Sequence, residues 1–329
     1  MRNPLYILSN GTYLKKSGDY LIADKKGIQK ISIPIETVSH IVKMGNSQIS
    51  QQVIEFCSEK NIPIFFLSYG GKYYGGFFPP AHNIGKTQQQ QYHIYFNHRL
   101  KFAKEIISNA SLNKITVLKR YCVKDKSRST ELKQQIKSIQ TLYNLIDKAE
   151  NIDVIRGIEG SIAGEYFAGL RLCFKFLKLE NREYNPPKNE INALLSFIYS
   201  LLYSELRQKC LEHGLSLFVG VLHEQNNLQE PLIYDLSETF KQWCDLFCLS
   251  LINTRQIQEV HFLKKENDNC FLNTYGKQIV VKEWEKRLHA VSFHKETNSQ
   301  KSFRELLRYY VICYREAIEE NLTMEKFLL

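Results

Sequence analysis

No C-x-x-C pair, no bilayer-length apolar run, no phosphate-cradling glycine motif and no internal repeat occur in this chain. Each absence narrows the reading. The eight cysteines stand apart at 57, 122, 173, 210, 244, 248, 270 and 313. A structural zinc site needs closely spaced thiolates, so none is expected. Cys244 and Cys248, four residues apart, would share one face of a helix and read as core. The most apolar stretch, Ile191–Leu206, is interrupted by Asn192, Ser196, Ser200 and Glu205 and is too short to span a bilayer, so no membrane partner is expected. The N-terminal MRNPLYILSN runs straight into strand-like sequence, unlike a secretory leader, and a reduced, cytoplasmic setting is expected. The glycine cluster Tyr69–Gly76 lacks the Lys-Ser/Thr ending of a phosphate loop and opens onto no helix. It reads as a hairpin turn flanked by tyrosines.

Basic charge, by contrast, is in excess. With 44 Lys and Arg against 34 Asp and Glu, the net charge is +10, which favours a polyanionic partner such as nucleic acid. Hydrophobic residues at 43% and charged residues at 24% describe a folded protein, and 329 residues suit two modest domains. Residues 1–80 read as a small β-rich domain. Leu5–Leu8, Thr12–Leu14, Tyr20–Ala23 and the alternating Ile28–Ile33 are short β-favouring runs, punctuated by Gly11, Gly18-Asp19 and Asp24–Gly27. Ser50 caps one helix there, and Ile62–Leu67 reads as a buried strand. Pro79-Pro80 closes the domain. A linker over 81–92 and an all-helical domain over 93–329 complete an α+β chain, with a small hairpin expected from Val260–Phe262 and Gly276–Val281. Met324–Phe327 reads as a last helical turn. Residues 86–128 hold ten lysines and arginines against Glu105 and Asp125, interleaved with Tyr92, His93, Tyr95 and Phe96. Phosphate contact and a solvated helix face both account for that segment.

Candidate chemistry lies at three places. Glu159 sits in an apolar helix beside Ile155, Ile158 and Ile162, bracketed by Gly157 and Gly160, each of which weakens a helix by roughly 1 kcal/mol relative to alanine. Close approach by a ligand or another helix would explain them. An ordinary exposed glutamate is the bland alternative. His223 ends the apolar run Leu215–Leu222, where a buried histidine with a backbone partner reads equally well. Asp235 and Glu238, spaced Asp-x-x-Glu at a helix start, look like a capping box, which needs no metal. Together, one imidazole and two carboxylates form a mixed nitrogen and oxygen set suited to Mg²⁺ or Mn²⁺, which would serve phosphodiester chemistry.

The order of several segments carries a resemblance. Gly157–Gly160 precedes Tyr166-Phe167. Pro186-Pro187 runs into Asn192–Phe197 and Tyr199, and Gly220–His223 and Asp235–Phe240 follow. Ile33-Pro34, Gly45-Asn46, Ile49-Ser50, Asp245 and Leu251–Asn253 fit as well. Over nearly the whole chain this resembles the CRISPR-associated spacer-acquisition integrase, CRISPR-associated endonuclease 1. Lys241-Gln242-Trp243 departs from the basic residue and proline that many members carry there. The resemblance implies a β-rich N-terminal dimerisation domain and a helical catalytic domain. It implies a Mg²⁺- or Mn²⁺-dependent DNA endonuclease and integrase whose metal and catalytic residues are Glu159, His223 and Glu238, with Asp235 nearby. Tyr166, Arg182, Lys188 and Asn192 would lie near the site and contact DNA. The implied partners are DNA (a prespacer fragment and the CRISPR repeat array), a second copy of the chain, and the companion CRISPR-associated protein 2. The residues alone leave two rivals: a catalytically idle DNA-binding scaffold, and a transposon-type DNA integrase.

Overall fold

The computed structural model describes residues 2–329 apart from 26–28, 80–83, 125, 181, 184–185, 224–229, 265–268 and 295–296. Two sheets open the chain. The first runs β1 (Asn3–Ile7), β5 (Val38–Met44), β7 (Ile64–Leu67), β8 (Tyr73–Phe77), parallel except for the antiparallel β7–β8 hairpin. The second is β4 (Gln29–Pro34), β3 (Tyr20–Lys25), β2 (Thr12–Ser17), β6 (Gln48–Ile49). Helix α1 (Gln51–Glu59) starts where Ser50 Oγ accepts from the Val53 amide, the cap its sequence promised.

The first sheet is buried on both faces, which is why Ile62–Leu67 shows no polar alternation. Val38, Ile41 and Ile64 face a core shared with Leu14 and Leu21 of the second sheet and with Val53 and Phe56 of α1. Val42, Met44, Phe65 and Leu67 face the other way, into the core of the helical body. That body comprises α2 (Ile84–Asn97), α3 (Arg99–Lys124), α4 (Ser129–Tyr143), α5 (Ile152–Cys173), α6 (Glu190–Glu212), α7 (Pro231–Glu238), α8 (Lys241–Asn253), α9 (Thr274–His289) and α10 (Phe303–Glu320). The expected α+β arrangement, strand-rich first and helical after, is what forms. Two short strand pairs interrupt the helical part: β9 (Phe262–Lys264) with β10 (Cys270–Leu272), and β11 (Val291–His294) with β12 (Ser299–Ser302). No helix among the described residues is long and apolar enough to cross a membrane.

Polar contacts lock the sheets to the helices. Arg304 of α10 donates to Glu205 of α6 at 3.2 and 2.9 Å, to Glu285 of α9 at 2.9 and 3.0 Å, and to Asn3 of β1 at 3.2 Å. The Tyr6 hydroxyl reaches the same Glu285 at 3.2 Å. Arg207 pairs with Glu230 at 2.6 Å and lies 3.8 Å from the centre of the Tyr73 ring. The β7–β8 turn explains the glycine cluster. A side chain on Gly70 would strike Phe271, and one on Gly71 (φ +91°) would lie 2.8 Å from Ser200 Oγ of α6.

Three expectations need correction. The segment 81–92 is not a linker where it is described: α2 runs from Ile84, because Thr87, Gln91 and Ile94 supply a buried helical stripe. Gly276–Val281 belongs to α9, capped by Asn273, and the hairpin pairs Phe262–Lys264 with Cys270–Leu272 instead. Met324–Phe327 is not helical. Its peptide groups bond to side chains of α3: Glu105 accepts from the Met324 amide at 2.8 Å, and Asn113 donates to the Phe327 carbonyl at 2.8 Å.

Arg304→Ala leaves Glu205, 1% exposed, without its main counter-charge. The expected loss is about 3–5 kcal/mol of folding stability, measured by chemical denaturation. A loss below about 1 kcal/mol would show that the network does not hold the two parts together.

Candidate metal centre

Glu159 rides on α5. Asn151 Oδ1 caps this helix by accepting from the Val154 amide at 3.0 Å, and Ile155, Ile158, Ile162 and Tyr166 form its buried stripe. Glu159 borders that stripe and is half-buried. Side chains built on Gly157 or Gly160 would meet nothing among the described residues within 4 Å. Among the described residues these glycines therefore seat no neighbouring helix.

The run Leu215–Leu222 is an irregular loop rather than a strand. Buried peptide groups outside a ladder must find other partners, and four helices supply them. The Gln91 amide of α2 donates to the carbonyls of Ser216 (3.1 Å) and Val219 (3.4 Å) and accepts from the Ser216 amide (2.7 Å). Arg99 of α3 donates to the Val221 carbonyl at 2.7 Å. Arg156 of α5 donates twice to the Leu222 carbonyl, at 2.9 and 2.8 Å. Asp235 of α7 accepts from the amides of Val221 (2.5 Å), Leu222 (3.0 Å) and His223 (2.9 Å).

This corrects the capping-box expectation. Helix α7 begins at Pro231, so Asp235 lies inside it and cannot cap its start. It caps the incoming loop instead. Its Oδ1 also lies 2.7 Å from His223 Nδ1, which assigns the Nδ1 proton to that bond and leaves Nε2 as the free acceptor on a side chain 37% exposed. Only glycine fits at position 220, where a Cβ would lie 2.6 Å from Asp235 Oδ2.

Glu238 is at the end of α7. Lys241 Nζ is 2.5 Å from its Oε1, and Lys114 Nζ of α3 is 3.8 Å from its Oε2. Burial would raise the Glu238 carboxyl, but Lys241, Lys114 and His223 together hold it below the ordinary range. Glu159 moves the other way. Burial and then the negative charge of Glu238 raise it, against the pull of both lysines and His223. Glu159, His223 and Glu238 thus share one electrostatic neighbourhood. Their imidazole nitrogen and carboxylate oxygens have the donor chemistry of a Mg²⁺ or Mn²⁺ site. As placed, no three His, Cys, Asp or Glu side chains among the described residues converge tightly enough to hold an ion; Glu238 is spent on the lysines.

The remaining candidates divide. Tyr166 and Asn192 are buried, at 1% and 0% exposure, so neither presents a surface for direct DNA contact. The Tyr166 hydroxyl donates to Asp245 at 2.7 Å, as does Tyr199 at 2.5 Å, and Asn192 Oδ1 accepts from Arg182 at 3.0 Å. These residues brace the site from behind. Arg182 is half-buried beside the Tyr199 ring, 5.5 Å from its centre, and Lys188 is exposed. Sequence reasoning missed Gln91 and Arg156, although Arg156 lies one helical turn from Glu159, where a shared face could be read. It counted Arg99 and Lys114 only as part of a basic segment. The structure buries Lys114 against Glu238.

Fold and site define the class: a strand-rich unit docked on a helical body that gathers one histidine and two glutamates among basic side chains. Comparison with known proteins supplies the family. Residues 5–286 match the family described as CRISPR associated protein Cas1. A CRISPR-associated endonuclease Cas1 of Thermotoga maritima is 33% identical over 310 residues, 92% of this chain and 93% of the relative. The solved structure of a Cas1 protein from that organism superposes with a TM-score of 0.82 at 30% identity, covering 96% of this chain and 97% of that one. A casposase bound to its integration product shares the fold, with a TM-score of 0.82 at 21% identity over 100% of this chain and 92% of that one. The chain belongs to the family of the CRISPR-associated protein Cas1.

Gly220→Ala should cost about 1–3 kcal/mol of stability in denaturant titrations, because the new methyl displaces either Asp235 or the loop. An unchanged midpoint would mean that the loop has slack. Burial pushes the Asp245 carboxyl up to about 6, against the lowering pull of the Tyr199 and Tyr166 hydroxyls. The folded state therefore binds this proton more tightly than the unfolded chain. The stability it contributes is complete below the ordinary value of 3.8 and is lost as pH rises through about 6. Between about pH 4 and pH 6, Asp245→Asn should show a flatter decline than the unsubstituted protein in melting temperature against pH. Parallel curves would contradict that assignment.

Proposed function

We propose that the chain is a divalent-metal-dependent DNA endonuclease and integrase that inserts short DNA fragments into a CRISPR array. The 3′-hydroxyl of a captured fragment would attack a phosphodiester at a repeat boundary, forming one P–O bond as another breaks and frees a 3′-oxygen. Glu159, His223 and Glu238 would hold Mg²⁺ or Mn²⁺. Bound there, the ion would stabilise the charge that develops on the phosphoryl oxygens.

The observation that carries this reading is the fixed imidazole: Asp235 Oδ1 lies 2.7 Å from His223 Nδ1 and turns Nε2 outward, the tautomer a ligand needs. Glu159 supports it, raised by its burial and then by the charge of Glu238, which a shared cation would offset. Arg156 ties the loop carbonyl beside His223 to the helix that carries Glu159, so two of the three donors move as one unit. Arg182, half-buried, and the exposed Lys188 would offer positive charge to a DNA backbone. Family membership supports a homodimer formed through residues 1–80, a helical catalytic domain over 93–329, two dimers bridged by CRISPR-associated protein 2, and action in the cytoplasm.

A labelled fragment, an array plasmid and the companion protein should give strand transfer with Mg²⁺ or Mn²⁺ and none in EDTA. Glu159→Ala, His223→Ala and Glu238→Ala should each lower the rate by about a thousandfold or more, the scale of losing several kcal/mol of transition-state stabilisation. Full transfer in EDTA, or by any one of these folded variants, would sink the assignment.

A further inference from the structure

Each oxygen of Glu238 faces an ammonium, Lys241 at 2.5 Å and Lys114 at 3.8 Å. An ion that takes Oε1 as a ligand therefore competes with Lys241 for that oxygen. Local charge decides what else must happen. Lys114 and Lys241 already bring two positive charges to Glu159 and Glu238 before an ion arrives. A divalent ion alone would add further positive charge in a largely buried place, which low dielectric opposes. A phosphodiester brings the missing negative charge and offers the displaced ammonium a new partner.

The two lysines differ in their freedom to move. Lys114 is 5% exposed and rises from the middle of α3, between helices. Lys241 is 21% exposed and begins α8, with its ammonium 5.9 Å from the centre of the Tyr199 ring, near Arg182. Its stem of four flexible carbons allows it to swing without moving the helix.

We propose that Lys241 is a displaceable lock on Glu238: it holds the carboxylate in the DNA-free protein and transfers to a DNA phosphate as the ion takes its place, so metal and DNA bind with positive cooperativity. The lock rests on reading Glu159, His223 and Glu238 as the metal set. Thermodynamic linkage makes it reciprocal: DNA must tighten metal binding by the factor that metal tightens DNA binding.

The test uses the full chain and Mn²⁺, with free Mn²⁺ counted by electron paramagnetic resonance. Without DNA, Lys241→Met should bind Mn²⁺ about tenfold or more tightly than the unsubstituted protein, because a cation at contact distance has been removed. Lys241→Gln, which keeps a polar tip, should shift the same way, and the exposed Lys282→Met should not. In a second arm, fluorescence anisotropy of a labelled duplex should show affinity rising with Mn²⁺ beyond the background gain of Glu238→Gln, and this extra gain should shrink in both Lys241 variants. Equal Mn²⁺ affinity in the unsubstituted protein and both Lys241 variants, with weaker binding by Glu238→Gln, overturns the lock and leaves the metal set standing. Mn²⁺ affinity indifferent to Glu238→Gln overturns the metal set, and the lock with it.

Discussion

One buried carboxylate organises the site. Asp235 accepts from three successive backbone amides and from the His223 ring, and it does so at 0% exposure. A carboxylate in that position is stabilised only while all its donors stay in place. The loop, in turn, has no ladder of its own. Further peptide groups of the loop are held by Gln91, Arg99 and Arg156, each from a different helix. The orientation of His223 is therefore set by the assembled tertiary structure, and no local segment specifies it.

The same logic extends outward. Arg156 links the loop to α5, so Glu159 and His223 are coupled through one guanidinium. Behind them, Asp245 gathers Tyr166 and Tyr199, and Arg182 is held against Asn192. On the far side, Arg207 pairs with Glu230, the residue that precedes α7, and packs on Tyr73 of the sheet. Arg304 ties α10 to β1 through Asn3 and to α6 and α9 through their glutamates. The strand-rich unit is thus joined to the element that carries Asp235 and Glu238, and its docking bears on the site as well as on stability.

Much of this was legible in the sequence. Composition and periodicity gave a strand-rich start followed by helices, and the ordered segments around Glu159, His223 and Asp235–Phe240 pointed to the Cas1 family. Local signals did best: the Ser50 cap and the glycine turn both formed as read. Signals that depend on distant contacts did worse. Asp-x-x-Glu looked like a capping box because the pattern is local, whereas the true donors to Asp235 lie twelve to fourteen residues upstream. Gly276–Val281 looked β-favouring, but the Asn273 cap and the buried Val280 and Trp284 make it helix. Lys114 was counted as surface charge because nothing in the sequence indicates that its neighbour in space is a buried glutamate. Tyr166 and Asn192 belong to the segments that carry the family resemblance, yet their burial assigns them a bracing role.

The central claim is that Glu159, His223 and Glu238 share one divalent ion when DNA is present. Crystals grown with Mn²⁺ and a short duplex, with diffraction measured near the manganese absorption edge, test it most directly. The account predicts an anomalous peak bounded by His223 Nε2 and carboxylate oxygens of both glutamates, with Lys241 turned onto a phosphate. A fully occupied manganese peak elsewhere on the chain, with Glu238 still paired to Lys241, would contradict it.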